Sequence, residues 1–337
     1  MPIDRRHLVA AAALAITVGL AGPATAQQIL KFSHTDTAVG SRQQAAELFA
    51  KKVEEYTQGR YKVQVFHSGQ LANDPKAVEQ LRLGGIDFTV TGTGTYATFQ
   101  KALNLSALPF LVDSYEQGWK LYDESPWFRE QFAALPAKGM RVLAAFEAGF
   151  RSFTTTFPLN SPADAKGRKL RVFPNDMIRW IMESIGFNPV VLPVTEVYLA
   201  IQQGTVDGQE NPVDTIYSIR FYEVAKHITL TQHVYSPIPL SVSEITWKRL
   251  SDADKAAIQK AATEAADFSR KTVRAAEEGQ LKEMQAKGAI VARPNIEPFR
   301  EAVKAAYAKA REQYGAEVDR VLAEAESIRQ ALPAKSN

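Results

Sequence analysis

Between Ile29 and Thr91 the hydrophobic period switches repeatedly between 2 and 3.6, and a chain patterned this way has few ways to bury its apolar surface. Ile29 to His34 reads as a strand, and Tyr61 to His67 as another, with Tyr61, Val63 and Val65 alternating with Lys62, Gln64 and Phe66. Between them Ser41 to Thr57 predicts a helix: Ala45, Leu48, Phe49, Val53 and Tyr56 share one face, and Gly59 lies just past the end. Pro75 to Leu83 predicts a second helix, with Asp74 as its N-cap and Pro75 at the first helical position. Ile86 to Thr91 is then a third strand. The order β-α-β-α-β implies a parallel sheet covered by helices on both faces.

The style repeats further on with a different sequence. Val142–Phe146 and Lys169–Phe173 are strand candidates, and Ser161-Pro162-Ala163-Asp164 has the residues of a helix start. Asn175–Ile185 and Val194–Gln203 read as helices ended by Gly186 and Gly204. From Ser251 to Ala286 there is no proline and only one glycine, Gly279. Unbroken, that stretch spans about 54 Å at 1.5 Å per residue and can brace two lobes; broken near Gly279, it makes two shorter helices. Ile296 to Leu332 closes the chain as helix. The expectation is an α/β chain of two lobes, with residues 27–148 plus about 237–270 in lobe I. Residues 149–236 plus about 271–337 then form lobe II and the C-terminal helices.

Residues 1–26 read differently. Arg5 and Arg6 precede an apolar run from Leu8 to Gly22, and Ala24-Thr25-Ala26 supplies small residues for cleavage before Gln27. The run is about 15 residues, short of the roughly 20 that cross a bilayer. This predicts a removable export signal, by the general or the twin-arginine route, and a periplasmic protein. The chain has no cysteine, which excludes disulfides, thiolate metal sites and thiol nucleophiles. A net charge of +3 over 337 residues carries no nucleic-acid footprint.

Three polar residues stand out. Arg151 follows a strand at a Gly149-Phe150-Arg151 turn, and Arg171 lies within Lys169–Phe173, pointing away from Leu170 and Val172. A guanidinium offers a planar fork that holds a carboxylate by two parallel hydrogen bonds, although an arginine in such a pattern also fits a solvated surface. Asn211, in the polar segment Val206–Pro212 read as a loop, is either a ligand contact or a turn residue before proline. Gly92-Thr93-Gly94-Thr95-Tyr96-Ala97 matches a dinucleotide-binding spacing, with Asp113 downstream, and keeps an exported nucleotide-binding enzyme open as an alternative. The five histidines show no metal-ligand spacing and no catalytic motif stands out, so neither cofactor nor metal is expected.

Taken together, several blocks resemble the extracytoplasmic binding subunit of TRAP transporters, the DctP family. They are Lys31-Phe32-Ser33-His34, Phe66-His67-Ser68-Gly69-Gln70-Leu71, Leu81–Asp87, Lys166–Val172, Glu196–Gly204 and Val206–Pro212. The resemblance runs from about Ile29 to about Ile290 and implies the two-lobed α/β periplasmic-binding-protein fold, with a long helix bracing both lobes, closing on a small organic carboxylate, C4-dicarboxylate-like or related. It implies binding without turnover and delivery to the small and large membrane subunits of such a transporter; a ligand-sensing receptor module is the other role open to this fold. It further implies that Arg171 makes the principal salt bridge, that Arg151 assists and that Asn211 adds a hydrogen bond. Asn175, His34, Gly92 and Thr93 complete the expected contacts. Gly92 stands where sialic-acid binders carry an acidic residue, which argues against that ligand, and Val194 stands where some relatives place a ring.

Overall fold

A computed structural model describes residues 27–333. The signal sequence read in residues 1–26 lies outside them. Eleven strands are present among the described residues: β1 (Gln28–Ser33), β2 (Tyr61–Phe66), β3 (Phe88–Val90), β4 (Met140–Phe146), β5 (Phe150–Thr155), β6 (Lys169–Val172), β7 (Asn188–Val191), β8 (Gly208–Pro212), β9 (His227–Tyr235), β10 (Ile238–Ser243) and β11 (Ile290–Ala292). They form a five-stranded sheet in the order β2-β1-β3-β10-β4 and a six-stranded sheet in the order β11-β9-β5-β8-β6-β7. In the first, β1 runs parallel to β2 and β3 while β10 is antiparallel to β3 and β4. In the second, β6 runs parallel to β7 and β8 while β5 is antiparallel to β8 and β9.

The early periodicities translate directly into packing. Leu30 and Phe32 of β1, Tyr61 and Val63 of β2, and Ala45, Ala46, Phe49 and Val53 of helix Ser41–Tyr56 share one core. Helix Asp74–Leu83 starts one residue earlier than expected: Asn73 is the cap, its side chain accepting from the Lys76 N–H at 3.2 Å, and Gly84 ends the helix at φ 75°. That leaves the Asp74 carboxylate free of the capping role.

The chain passes between the sheets at Glu147–Gly149 and at Ser236–Pro237, and a third tie is the helix Asp252–Ala286. This helix is unbroken, 35 residues or about 53 Å long. Ile258, Ala261, Ala262, Ala265 and Ala266 belong to the core of the first sheet, and Leu281 and Met284 pack with Val197, Phe221 and Ile228 beside the second. Buried anchors on both sides of Gly279 outweigh the roughly 1 kcal/mol that a mid-helix glycine costs.

Three expectations change. Residues 206–212 are not a loop: Gly208–Pro212 is a buried strand between β5 and β6, because its polar side chains find partners there, Gln209 Nε2 donating to Thr154 Oγ1 at 3.1 Å. The last helical stretch divides into Glu297–Ala302, Lys304–Tyr314 and Ala316–Ala331, with Gly315 at φ 55° making the second break. Leu105 to Phe128, grouped by sequence with lobe I, packs instead with Phe153, Trp180, Phe299 and Val318 of the second half, since the C-terminal helices return to cover them.

Candidate ligand-binding site

Parallel strands β1, β3, β6 and β7 end on a common side, and the chain leaving each turns toward the gap between the sheets. This is where open α/β sheets hold ligands, outside the carboxyl ends of their strands. The gap is a cavity of about 680 Å³, open solvent included. The first sheet contributes Thr35 and Asp36 after β1, Arg42 from the first helix, Asp74 and Pro75 from the second, and Thr91, Gly92 and Thr95 after β3. The second contributes Arg151, Arg171, Phe173, Pro174, Pro193, Val194, Asn211, Pro212, Thr215 and Ile219; Ala148, Ser236 and Ile238 come from the crossings.

Strand register sets the polar wall. β5 pairs with β8 so that Arg151 lies opposite Pro212, and β6 pairs with β8 so that Arg171 lies opposite Gln209. Arg151 is already neutralised. Its Nη2 donates to Glu210 Oε1 at 2.7 Å and to Asn211 Oδ1 at 3.1 Å, its Nε also donates to the Glu210 carboxylate, and its guanidinium lies 5.1 Å from the Phe173 ring centroid. Burial works to raise the Glu210 carboxyl, but Arg151 and His233 more than reverse it and leave it lowered to about 2. His233 itself is pushed down by burial, and its ring stacks on Phe153 with centroids 4.6 Å apart.

Arg171 is the opposite case. It is 2% exposed, its Nε donates to the Leu192 carbonyl at 2.8 Å, and it forms no ion pair among the described residues. Burial lowers it to about 10, with the neighbouring Arg151 adding to the fall and Glu210 opposing it, so it stays charged at neutral pH. Two Nη groups of a buried cation therefore face a cavity with no counter-charge on them. An isolated buried charge is costly, and a carboxylate entering the cavity supplies both the charge and two acceptors.

The expected contacts divide. Arg171, Arg151, Asn211 and Gly92 line the cavity. Asn175 does not: its Oδ1 accepts from the Ile178 N–H at 3.0 Å as the cap of helix Asp176–Ile185, and its Nδ2 donates to the Gly94 carbonyl at 3.3 Å across the gap. His34 lies behind the wall, its Nε2 2.7 Å from Gln43 Oε1, with burial holding it down to about 4. Thr93 turns away and donates to the Pro237 carbonyl at 3.1 Å. The glycine spacing at Gly92–Ala97 serves closeness instead of a phosphate turn: Thr93–Thr98 is a short 3₁₀ helix, and a Cβ on Gly94 would meet Asn175 Nδ2 at 2.5 Å. Sequence reading missed Thr35, Asp36, Arg42, Asp74 and Phe173. Their position just past strand ends or at helix starts was the available signal.

Each lobe thus has its own sheet, two chain crossings and the long helix join them, and the cleft between holds a buried cation with no ion-pair partner among the described residues. Residues 32–313 match the family described as bacterial extracellular solute-binding protein, family 7 (DctP), and the chain belongs to that family. It is 32% identical over 293 residues, 87% of its length and 91% of the relative's, to the sialic acid-binding periplasmic protein SiaP of Vibrio cholerae. The fold superposes on a TRAP periplasmic solute-binding protein from Polaromonas bound to D-erythronate, with TM-score 0.85, 34% identity and coverage of 92% and 100% of the two chains. A sugar acid binding protein from Advenella mimigardefordensis in complex with galactonate gives TM-score 0.87, 31% identity and coverage of 90% and 99%. Among the described residues no helix is long and apolar enough to cross a membrane.

Proposed function

We propose that this chain captures a hydroxylated monocarboxylate, of the aldonate or uronate class, in the periplasm and delivers it to the membrane subunits of a TRAP transporter. The observation that carries this is Arg171: a buried guanidinium with two free donor nitrogens and no ion-pair partner. Around the cavity Asp36 and Asp74 stand on the first-sheet side with Arg42, and Arg151 is paired with Glu210, so Arg171 is the cation left without a partner among the described residues. One added carboxylate has its place on Arg171. A second would meet the Asp36 and Asp74 side, where like charges oppose it, which disfavours C4-dicarboxylates.

The same acidic and hydroxyl-bearing side suits a chain of alcohols. Asp74, whose Oδ1 accepts from Thr35 Oγ1 at 3.0 Å, has its other oxygen for ligand hydroxyls, and Thr91 and Thr95 add neutral donors and acceptors. Sugar acids bound by the structurally similar proteins have this composition. A melting-temperature screen of aldonates, uronates, C4-dicarboxylates and sialic acid, followed by calorimetry, tests the reading. Stabilisation by hydroxy monocarboxylates is expected; a response confined to dicarboxylates would overturn the charge argument, and no response to any acid would overturn carboxylate capture itself.

A further inference from the structure

Two hydrogen bonds run between the lobes in opposite senses. Ser41 Oγ, at the start of the first helix, donates to Asp214 Oδ2 at 2.5 Å, and Ser218 Oγ donates back to Asp36 Oδ1 at 2.7 Å. Ser41 and Asp36 belong to the side of the first sheet; Asp214 and Ser218 lie on helix Val213–Ser218, which follows β8 of the second. All four side chains are buried, so each lobe gives the other one hydroxyl and one carboxylate. We propose that Asp36, Ser41, Asp214 and Ser218 are positioning residues that latch the closed lobes, and that closing the latch takes up a proton on Asp214. The latch touches no part of the Arg171 fork and acts on affinity through the closed state alone, while its role in binding rests on the proposed capture of an acid.

The proton follows from the surroundings of Asp214. Facing it are Asp36 from the opposite loop, Arg42 and Ser41 from the first helix, Gln280 from the long helix, and Tyr115, whose hydroxyl is engaged by Glu277. The Arg42 guanidinium forms no ion pair with either carboxylate, its Nη1 donating to Thr35 Oγ1 at 3.3 Å, while the Arg42 backbone N–H donates to Asp36 Oδ2 at 3.3 Å. Closure thus brings two carboxylates together with no cation paired to them. Gln280 supplies a place for the proton. Its Nε2 donates to Asp214 Oδ1 at 2.8 Å, while its Oε1 is buried with no hydrogen-bond partner. A half-turn of that amide presents the idle acceptor to a protonated Asp214, so the same side chain serves both protonation states. Burial and Asp36 raise the Asp214 carboxyl to about 6, against the hydrogen bonds from Ser41 and Gln280 and the pull of Arg42.

The sign is then fixed. With the lobes apart Asp214 returns toward the ordinary aspartate value of about 3.9, so the closed form binds the proton more tightly. Closure is most favoured below about pH 4 and loses that advantage as pH rises through about 6. Between pH 7.5 and pH 5 the closed-to-open ratio rises about tenfold from this group.

Calorimetry with D-galactonate in two buffers of different ionisation enthalpy, at pH 7.5 and pH 5, reads the affinity and the protons taken up. Expected are an approximately tenfold tighter dissociation constant at pH 5 and net proton uptake near pH 5. Asp214→Asn, a stand-in for the protonated acid, should bind at pH 7.5 about as tightly as the parent at pH 5, with the pH dependence gone. Ser41→Ala and Ser218→Ala should weaken binding at both pH values without moving the ligand-free melting temperature. A ligand-free arm uses the absence of native cysteines: spin labels at Lys62→Cys and Asn188→Cys, on edge strands of the two sheets, follow the closed population against pH. If D-galactonate gives no heat, the choice of acid is at fault, and the labels still decide the latch. A closed population or an affinity that does not change with pH, or that changes equally in Asp214→Asn, overturns the proposal.

Discussion

Replacing Arg171 by lysine keeps a positive charge on β6 and removes the fork. In the parent, Nε is spent on the Leu192 carbonyl at 2.8 Å, which orients the guanidinium and leaves Nη1 and Nη2 for a carboxylate. A lysine has a single nitrogen on a flexible stem, so it cannot hold Leu192 and grip both ligand oxygens from a fixed plane. At least one charge-assisted hydrogen bond disappears, and such bonds contribute about 1.5–3 kcal/mol each. At about 1.4 kcal/mol per decade, affinity falls roughly tenfold to a hundredfold or more. Titration calorimetry with the best acid from the screen measures it. The companion change Arg171→Met removes the charge altogether and abolishes capture. Because it also removes an unpaired buried cation, it leaves the ligand-free melting temperature unchanged or higher. A lysine variant within threefold of the parent, or a methionine variant that still binds, would refute Arg171 as the anion anchor.

Other side chains give independent checks. Glu210→Gln strands the buried Arg151 without its counter-charge and should cost about 3–5 kcal/mol in urea unfolding. Because the Glu210 carboxyl stands at about 2 in the folded chain against about 4.3 when unfolded, the stability it confers is full above about pH 5 and is lost as pH falls toward 2, which acid unfolding followed by circular dichroism would show. Gly279→Ala places a Cβ where nothing lies within 4 Å and should stabilise the long helix by about 0.5–1 kcal/mol. Gly94→Ala drives a Cβ to 2.5 Å from Asn175 Nδ2, held in place by its capping bond, and should weaken ligand binding by about 1–3 kcal/mol in calorimetry while sparing the ligand-free melting temperature.

Much of the architecture was legible because it rests on local signals. Strand and helix periods between Ile29 and Thr91 reappear as β1, β2, β3 and their helices, and the start of the long helix at Ser251 is a local cap, the hydroxyl accepting from the Asp254 N–H at 3.1 Å. The candidate arginines and Asn211 came from spacing combined with the family resemblance. Where the reading failed, the deciding contact lay far away in sequence. Gly208–Pro212 is polar enough to read as a loop, and only its pairing with β5 and β6 makes it a central strand. Asn175 sits where a contact was expected, but it caps the helix that begins at Asp176 and bridges to Gly94, 81 positions earlier.

Local sequence specified the strands and helices between Ile29 and Thr91, the long helix that starts after Ser251, a division into two α/β lobes, and guanidinium groups near strand ends. Tertiary structure alone decided which of those cations is free. Arg151 and Glu210 are 59 positions apart and meet only through the register of β5 on β8, whereas no such pairing reaches Arg171. Charge type is a property of the residue, but whether a charge is compensated depends on neighbours that folding brings from elsewhere in the chain.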